Sequence, residues 1–398
     1  MNEVYIVSGV RTALGNLGGG LQSVLPEALL VPVIRESIVR GGVAADRVSE
    51  VVMGQTKQSA DCPNVARVAA LKARLPEEIP AYTVHRQCGS GMQAVISSVT
   101  QIRCGESELV VAGGVESMSN AQYYLRDARY GFKVSNGIIF DPNTESQPKS
   151  QPEETYGKLV MGMTAENLAE RYTISREAQD EFALRSQRLA VKAMDSGRFA
   201  EEIVPVPIPQ RKGEALLFDT DEYPRRDASL ESLAKLKPAF KNPGGTVTAG
   251  NSSGRNDGAA ALLLASEEMV KREKLTPLAR VAAFASAGVD PRYMGIGPVP
   301  ASLKALEKAG LALSDIGLVE INEAFAAQTL ACVKELDLDV EKLNVNGGAV
   351  ALGHPLGCSG ARILLTLAHE MKRKNTRYGL AAICIAGGQG LAMVVERA

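Results

Sequence analysis

The sequence predicts an α/β protein built from two similar halves with an inserted segment between them, and three observations carry that expectation. Short apolar runs of strand type alternate with longer amphipathic stretches of helical period along most of the chain. The order of these elements then recurs at a shift of about 270 residues, with Pro26 answering Pro300 and Gly91 answering Gly360. Between the two copies lies a stretch rich in proline and polar residues that matches neither.

"VYIVSG" (4–9) reads as the first buried strand. "PEALLVPVIRESIVRGG" (26–42) follows as a helix, with proline at its start and glycine at its end. "EVVMGQ" (50–55) and "LVVAGG" (109–114) are further strands, and between them "CGSGMQAVISSVTQIRCG" runs from a small-residue turn into a buried helix. The inserted segment opens on a loop (141–157) and continues with amphipathic helices near 164–172 and 176–196, the second ending at Gly197. "ALLLAS" (261–266) returns the chain to the sheet. "PASLKALEKAGLALSDIGLVEIN" (300–322) repeats the helix, glycine, aspartate and strand of the first copy, and "GARILLTLAHEMKRK" (360–374) with "AAICIAGG" (381–388) repeats its second helix and strand. The domains expected are residues 1–118, completed by 250–270, then the insertion 119–249, then residues 271–398.

The 398 residues are 45% hydrophobic and 22% charged with a formal net charge of −1, ample for a large core and without the global basic field that nucleic-acid binding favours. No apolar run approaches the ~18 residues of a membrane span. The N-terminus "MNEVYIVSGVRT" lacks the pattern of a secretory signal. Six cysteines show neither a CxxC pair nor zinc-ligand spacing, so reduced thiols in the cytoplasm are expected.

Three positions have a setting suited to chemistry. Cys88 stands where a strand ends and a helix begins, where free N–H groups and the helix dipole stabilise a thiolate, and the flanking glycines admit another molecule. A buried packing cysteine is the other reading. His354, in the glycine-rich loop "NGGAVALGHPLGCSGAR" (346–362), occupies the place in the second copy that matches the turn of Cys88, so the two loops are expected to meet. Cys384 precedes "IAGGQG" and offers a second thiol for moving a proton. Cys62, Cys104, Cys332 and Cys358 are assigned to packing, and His369, among charged residues, to solvent.

These stretches, together with "VSGVRTALG", "GGVESMS", "MGMTAENLAERY", "GTVTAGNSSGRNDGAAA", "MGIGPVPA" and "NEAFAAQ", resemble the thiolase superfamily along nearly the whole chain. The resemblance implies two halves with mixed five-stranded sheets stacked on shared central helices, and a loop domain over the coenzyme A site. It implies that Cys88 is the acylated nucleophile, His354 its activator, and Cys384 the thiol that deprotonates acetyl-CoA or protonates its enolate. Asn322 would hold a catalytic water, which with His354 forms one oxyanion hole; the backbone N–H groups of Cys88 and Ala386 would form the other. Arg225, Ser253, Met161 and Met294 match positions along coenzyme A and its acyl end. Coenzyme A and acetyl-CoA then enter as substrates, with no permanently bound cofactor or metal, no nucleic-acid partner, and a homodimer or homotetramer as the assembly.

Three positions depart from the family pattern. His85 stands where the family usually has asparagine, three residues before Cys88, and is assigned mainly a structural role. Ala386 replaces the first glycine of C-x-G-G-G-x-G. Val160 stands where members specialised for acetoacetyl-CoA often carry histidine. The expected function is therefore a 3-ketoacyl-CoA thiolase of fatty acid β-oxidation, the alternative being a short-chain acetyl-CoA acetyltransferase. A catalytically silent acyl-CoA binding protein would lack one of the reactive residues, and a ketoacyl synthase would show a Cys-His-His set in place of the second thiol.

Overall fold

A computed structural model describes residues 2–134 and 136–398. Strand β1 (Val4–Arg11) leads into helix α1 (Pro26–Gly41), whose first-turn proline lacks an N–H that would be unpaired there anyway. Gly42 closes the helix in the left-handed region at φ 69°. Strand β2 (Glu50–Gly54), helix α2 (Val65–Lys72), strand β3 (Ala81–Val84), helix α3 (Ser90–Cys104) and strand β4 (Leu109–Ser117) complete the first copy. The insertion carries helices α4 (Met161–Arg171) and α5 (Arg176–Asp195), and strand β5 (Asn256–Ser266) follows it. The second copy contains β6 (Ala279–Gly288), α6 (Pro298–Ala309), β7 (Leu318–Ile321), α7 (Ala326–Leu336), α8 (Leu356–Lys374), β8 (Tyr378–Ile385) and β9 (Gln389–Arg397).

The first copy forms a five-stranded mixed sheet in the order β3-β2-β4-β5-β1, and the second runs β7-β8-β9-β6 in the same sense. In both, the inner pairs β2 with β4 and β7 with β8 are parallel, and the later strands are antiparallel. Two details differ from the expected pair of five-stranded sheets. The fifth strand of the second copy is reduced to the bridge Val319–Leu343. There the next residue, Asn344, turns away at φ 46°, and its side chain pairs with both the N–H and the C=O of Ile321 at 2.9 Å, doing with an amide what a strand would do with backbone. The two sheets also join edge to edge, since β1 and β6 pair through Tyr5–Arg280 and Ile6–Ala279.

Alternation along the strands fixes the layers. Val51, Met53, Val111 and Leu263 face α1 and α2, while Val52, Val110, Leu262 and Leu264 share a cluster with α3 and α8. In the second copy Leu380, Ala382 and Val394 face α6 and α7, while Ala381, Ile383 and Met393 turn to the same α3–α8 cluster. The result is helix, sheet, helix, sheet, helix, with α3 and α8 as the middle layer. These two helices touch through glycine. A Cβ on Gly91 would stand 2.6 Å from Gly357 O, and one on Gly360 would stand 2.5 Å from Met92 N. Gly360→Ala therefore forces the pair apart and is expected to cost about 1–3 kcal/mol, read as a lowered urea midpoint.

The insertion is tied to the sheets by a buried ion cluster. Arg11 is fully buried and forks onto Asp221 at 2.7 and 2.8 Å, while its Nε meets Glu202 at 3.2 Å. Among the described residues, no helix is long and apolar enough to cross a membrane.

Candidate active site

The turn after β3 is held by the side chain of Ser90, which accepts from the Arg86 N–H at 2.8 Å and donates to Gln87 O at 2.6 Å. Gln87 sits in the left-handed region at φ 46°, so the chain reverses sharply and presents Cys88 ahead of α3. The N–H groups of Ala386 and of Cys88 itself favour the thiolate form of this sulfur. Burial nevertheless pushes this thiol up to about 11, against the pull of the Ala386 N–H and the charge of Lys57. At rest Cys88 is a thiol, and a base must take its proton before it reacts.

An imidazole, His354, lines the same cavity. Gly353, at φ 96°, and the Asn256 side chain, which accepts the His354 N–H at 3.0 Å, set the His354 backbone. The ring Nδ1 lies 2.6 Å from Ser359 Oγ, and the Ser359 hydroxyl donates to Pro355 O at 2.9 Å. Ser359 has one proton and directs it to the carbonyl, so Nδ1 is the N–H donor and Nε2 keeps its lone pair. The Asn322 amide nitrogen approaches Nε2 at 3.4 Å. Burial, reinforced by the Arg362 charge, lowers His354 to about 3, so the imidazole is neutral at rest.

Cys384, at the end of β8, is 1% exposed, and burial next to Cys88 and Cys332 holds its thiol well above the ordinary range. The following turn explains how Ala386 is tolerated. Gly387 and Gly388 have φ of 85° and 81°, and Ala386 is not among the residues with positive φ. The first position of the glycine run needs only its N–H, and alanine supplies that.

One cavity of about 180 Å³ is lined by Cys88, His354, Cys384 and Ala386, and by Ser253, Met161 and Met294. Asn322 reaches it through His354. Arg225 does not line it: its guanidinium lies 6.0 Å from the Tyr223 ring, in a separate surface groove shared with Arg188 and Lys192. His85 is exposed and also absent from the cavity lining. His369 corrects the solvent assignment, with its side chain only 14% exposed and its Nδ1 3.7 Å from Glu201. Two supporting carboxylates lie in motifs of the sequence but carry no local signal of their own. Glu116, in "GGVESMS", accepts from the N–H groups of Thr56, Lys57 and Gly357, and so joins the Cys88 side of the cavity to the start of α8. Glu323, in "NEAF", binds Ser186, Asn344 and Val350.

The high thiol pKa has a measurable result. Alkylation of Cys88 by iodoacetamide in the resting protein is expected to climb about tenfold per pH unit from 7 to 10, without the levelling near 8.5 of a free thiol. A plateau below pH 9 would mean that the thiolate is already formed at rest.

A thiol, a neutral imidazole and a second thiol around one cavity are the groups that an acyltransferase needs. The chain belongs to the thiolase family: the model of the thiolase N-terminal domain matches residues 4–268, and that of the thiolase C-terminal domain matches residues 275–397. An acetyl-CoA acetyltransferase of Cupriavidus necator is 50% identical over the full length of both chains. The solved acetyl-CoA acetyltransferase of Bacillus anthracis is 51% identical at a TM-score of 0.97, covering 100% of this chain and 99% of that one. Human mitochondrial 3-ketoacyl-CoA thiolase is 43% identical at a TM-score of 0.95, with the same coverage.

Proposed function

We propose that this chain is an acetyl-CoA acetyltransferase, joining two acetyl-CoA into acetoacetyl-CoA and CoA and catalysing the reverse cleavage. The gathering of Cys88, His354, Cys384 and the Ala386 N–H around one cavity supports it most directly. In the cleavage direction His354 Nε2 takes the Cys88 proton, and the sulfur attacks the 3-keto carbon. The oxyanion on C3 is held by the N–H groups of Cys88 and Ala386, and the enolate oxygen formed next by His354 with a water on Asn322, whose buried Oδ1 has no partner among the described residues. The C2–C3 bond breaks, and Cys384 gives its proton to C2, releasing acetyl-CoA. The CoA thiol then returns a proton to Cys384 and attacks the acyl-Cys88 thioester, whose oxyanion the N–H groups of Cys88 and Ala386 hold. His354 gives Cys88 back its proton. Synthesis is the reverse sequence.

Coenzyme A would run past Ser253 and Met161, with Met294 at the acyl end and the nucleotide end toward Arg225. The groove of Arg225, Arg188 and Lys192 supports this by its positive charge. A homo-oligomer is the proposed assembly, since the short hairpin pairing Tyr124 with Phe140 exposes Tyr130, Ile138 and Ile139 at 63–86%. Light scattering is expected to give a mass of at least two chains.

The test is formation of acetoacetyl-CoA from acetyl-CoA, with peptide mass analysis of the trapped acetyl-enzyme. Acetylation at Cys88 is expected; turnover without it would sink this reading. The second reading, a thiolase for longer 3-ketoacyl-CoAs, draws on Val160 and on the likeness to the human 3-ketoacyl-CoA thiolase. The names of the more identical relatives favour the short-chain reading. Cleavage rates that hold or rise beyond four acyl carbons would select the second.

A further inference from the structure

The turn that presents Cys88 and the turn that presents Ala386 come from different halves of the chain, and one residue of the insertion touches both. Residues 142–151 form two short helical turns, Pro142–Glu145 and Pro148–Ser150, and Ser146, Gln147 and Ser150 line the active-site cavity. This segment is anchored by polar contacts. The Asn143 amide donates to Met118 O at 2.9 Å, the Lys57 ammonium donates to Pro142 O at 3.0 Å, and Gln147 Oε1 accepts the Met161 N–H at 3.2 Å. The Ser150 hydroxyl gives its one proton to Ser146 O at 2.8 Å, which leaves its oxygen free to accept, and the Gln87 side-chain amide donates to it at 3.3 Å. The Ser150 carbonyl lies against Gly387, where a Cβ would stand 2.6 Å from Ser150 O. Gln87 immediately precedes Cys88, and Gly387 immediately follows Ala386.

Both of these neighbours hold a backbone that an ordinary residue avoids. Gln87 has φ 46° and Gly387 has φ 85°, each in the left-handed region. The Gln87 carbonyl is pinned within the first half, accepting from the hydroxyls of Ser90 at 2.6 Å and Thr56 at 3.3 Å. The two halves also meet close by, where Arg86 Nε donates to Gln389 Oε1 at 3.4 Å. Ser150 adds a contact from a third element, and it falls on the residues that adjoin the two donors. We propose that Ser150, through the Gln87 side chain and the Gly387 backbone, positions the N–H groups of Cys88 and Ala386 relative to one another. The insertion then serves the oxyanion hole as well as substrate binding. This rests on the reading that those two N–H groups hold the oxyanion. Two donors stabilise one oxygen only when both point at it, so a small displacement of either turn slows the chemistry while leaving the substrate bound. Ser150 acts through its neighbours and is a positioning residue.

The test is steady-state cleavage of acetoacetyl-CoA by four variants of the full chain. Ser150→Ala removes the hydroxyl and keeps the carbonyl against Gly387. Gln87→Asn keeps a residue that tolerates the left-handed backbone but shortens the side chain by one methylene. Each is expected to lower kcat by about 5–30-fold with KM for acetoacetyl-CoA within about twofold of wild type. Ser150→Thr keeps the hydroxyl and is expected to stay within about threefold of the wild-type kcat. The double variant Ser150→Ala with Gln87→Asn is expected to lose about as much as the worse single one, because both remove the same tie. Wild-type kcat in both single variants overturns the inference. Losses that multiply in the double variant do so too, since the two residues would then act separately. A raised KM at unchanged kcat also overturns it, and would leave the segment a role in substrate binding alone. A wild-type enzyme that fails to cleave acetoacetyl-CoA overturns the proposed function, and this inference with it.

Discussion

Cys88→Ala is expected to lose at least about 10⁴-fold in acyl transfer and to yield no acyl-protein adduct with acetyl-CoA. The size of the effect follows from the arrangement of the site. The backbone donors of Ala386 and residue 88 survive the substitution, as does the neutral imidazole of His354, so substrate still finds its oxyanion contacts. What disappears is the atom that forms the covalent bond, and no neighbour can replace it. Cys384 is held as a thiol by its burial. The measurement is CoA-dependent cleavage of acetoacetyl-CoA alongside intact-protein mass. Residual turnover within a hundredfold of wild type would transfer the nucleophile's role to another residue.

Arg11→Met is expected to be the most damaging change to stability, at about 3–5 kcal/mol. The methionine fills much of the space but leaves Glu202 and Asp221 without their cation, at 2% and 4% exposure. Asp221 keeps the Leu14 N–H at 2.8 Å and Glu202 keeps the Thr366 hydroxyl at 2.9 Å, so the geometry is only half dismantled while the charge is left wholly uncompensated. Urea unfolding at pH 7 measures the loss. A loss below about 1 kcal/mol would mean that water reaches the cluster.

The strands and helices near the site were readable because burial on both faces leaves continuous apolar runs, as in "LVVAGG" and "AAICIAGG", and because Gly42, Gly105 and Gly197 stop their helices with the left-handed backbone that glycine permits. The meeting of Cys88 with His354 was readable from the repeat alone, since equivalent turns of two stacked copies end up face to face. Other features had no local signal. Asn344 replacing a strand, and β1 pairing with β6, depend on partners far along the chain. Nothing in the local sequence of Arg225 or Lys57 says where it ends up, and only the fold puts one in a surface groove and the other at the wall of the cavity. Val160 suggested a longer acyl chain through a single residue, whereas the relatives' names weigh the whole chain and favour the short one.

The register that pairs Gly91 with Gly360 also pairs His85 with His354 and Ser90 with Ser359. Two identical halves on a common axis would deliver every residue twice, and so would hold two competing nucleophiles at one crevice. Fusion into one chain removes that obligation. His354 stays inside on Ser359, while its counterpart His85 lies at the surface. The counterpart of Cys88 is Gly357, where even a Cβ would come within 2.3 Å of Val115 O, so no second thiol fits. On the proposed function each chain then carries one acyl group, at Cys88, and that stoichiometry follows from the broken symmetry of its own repeat.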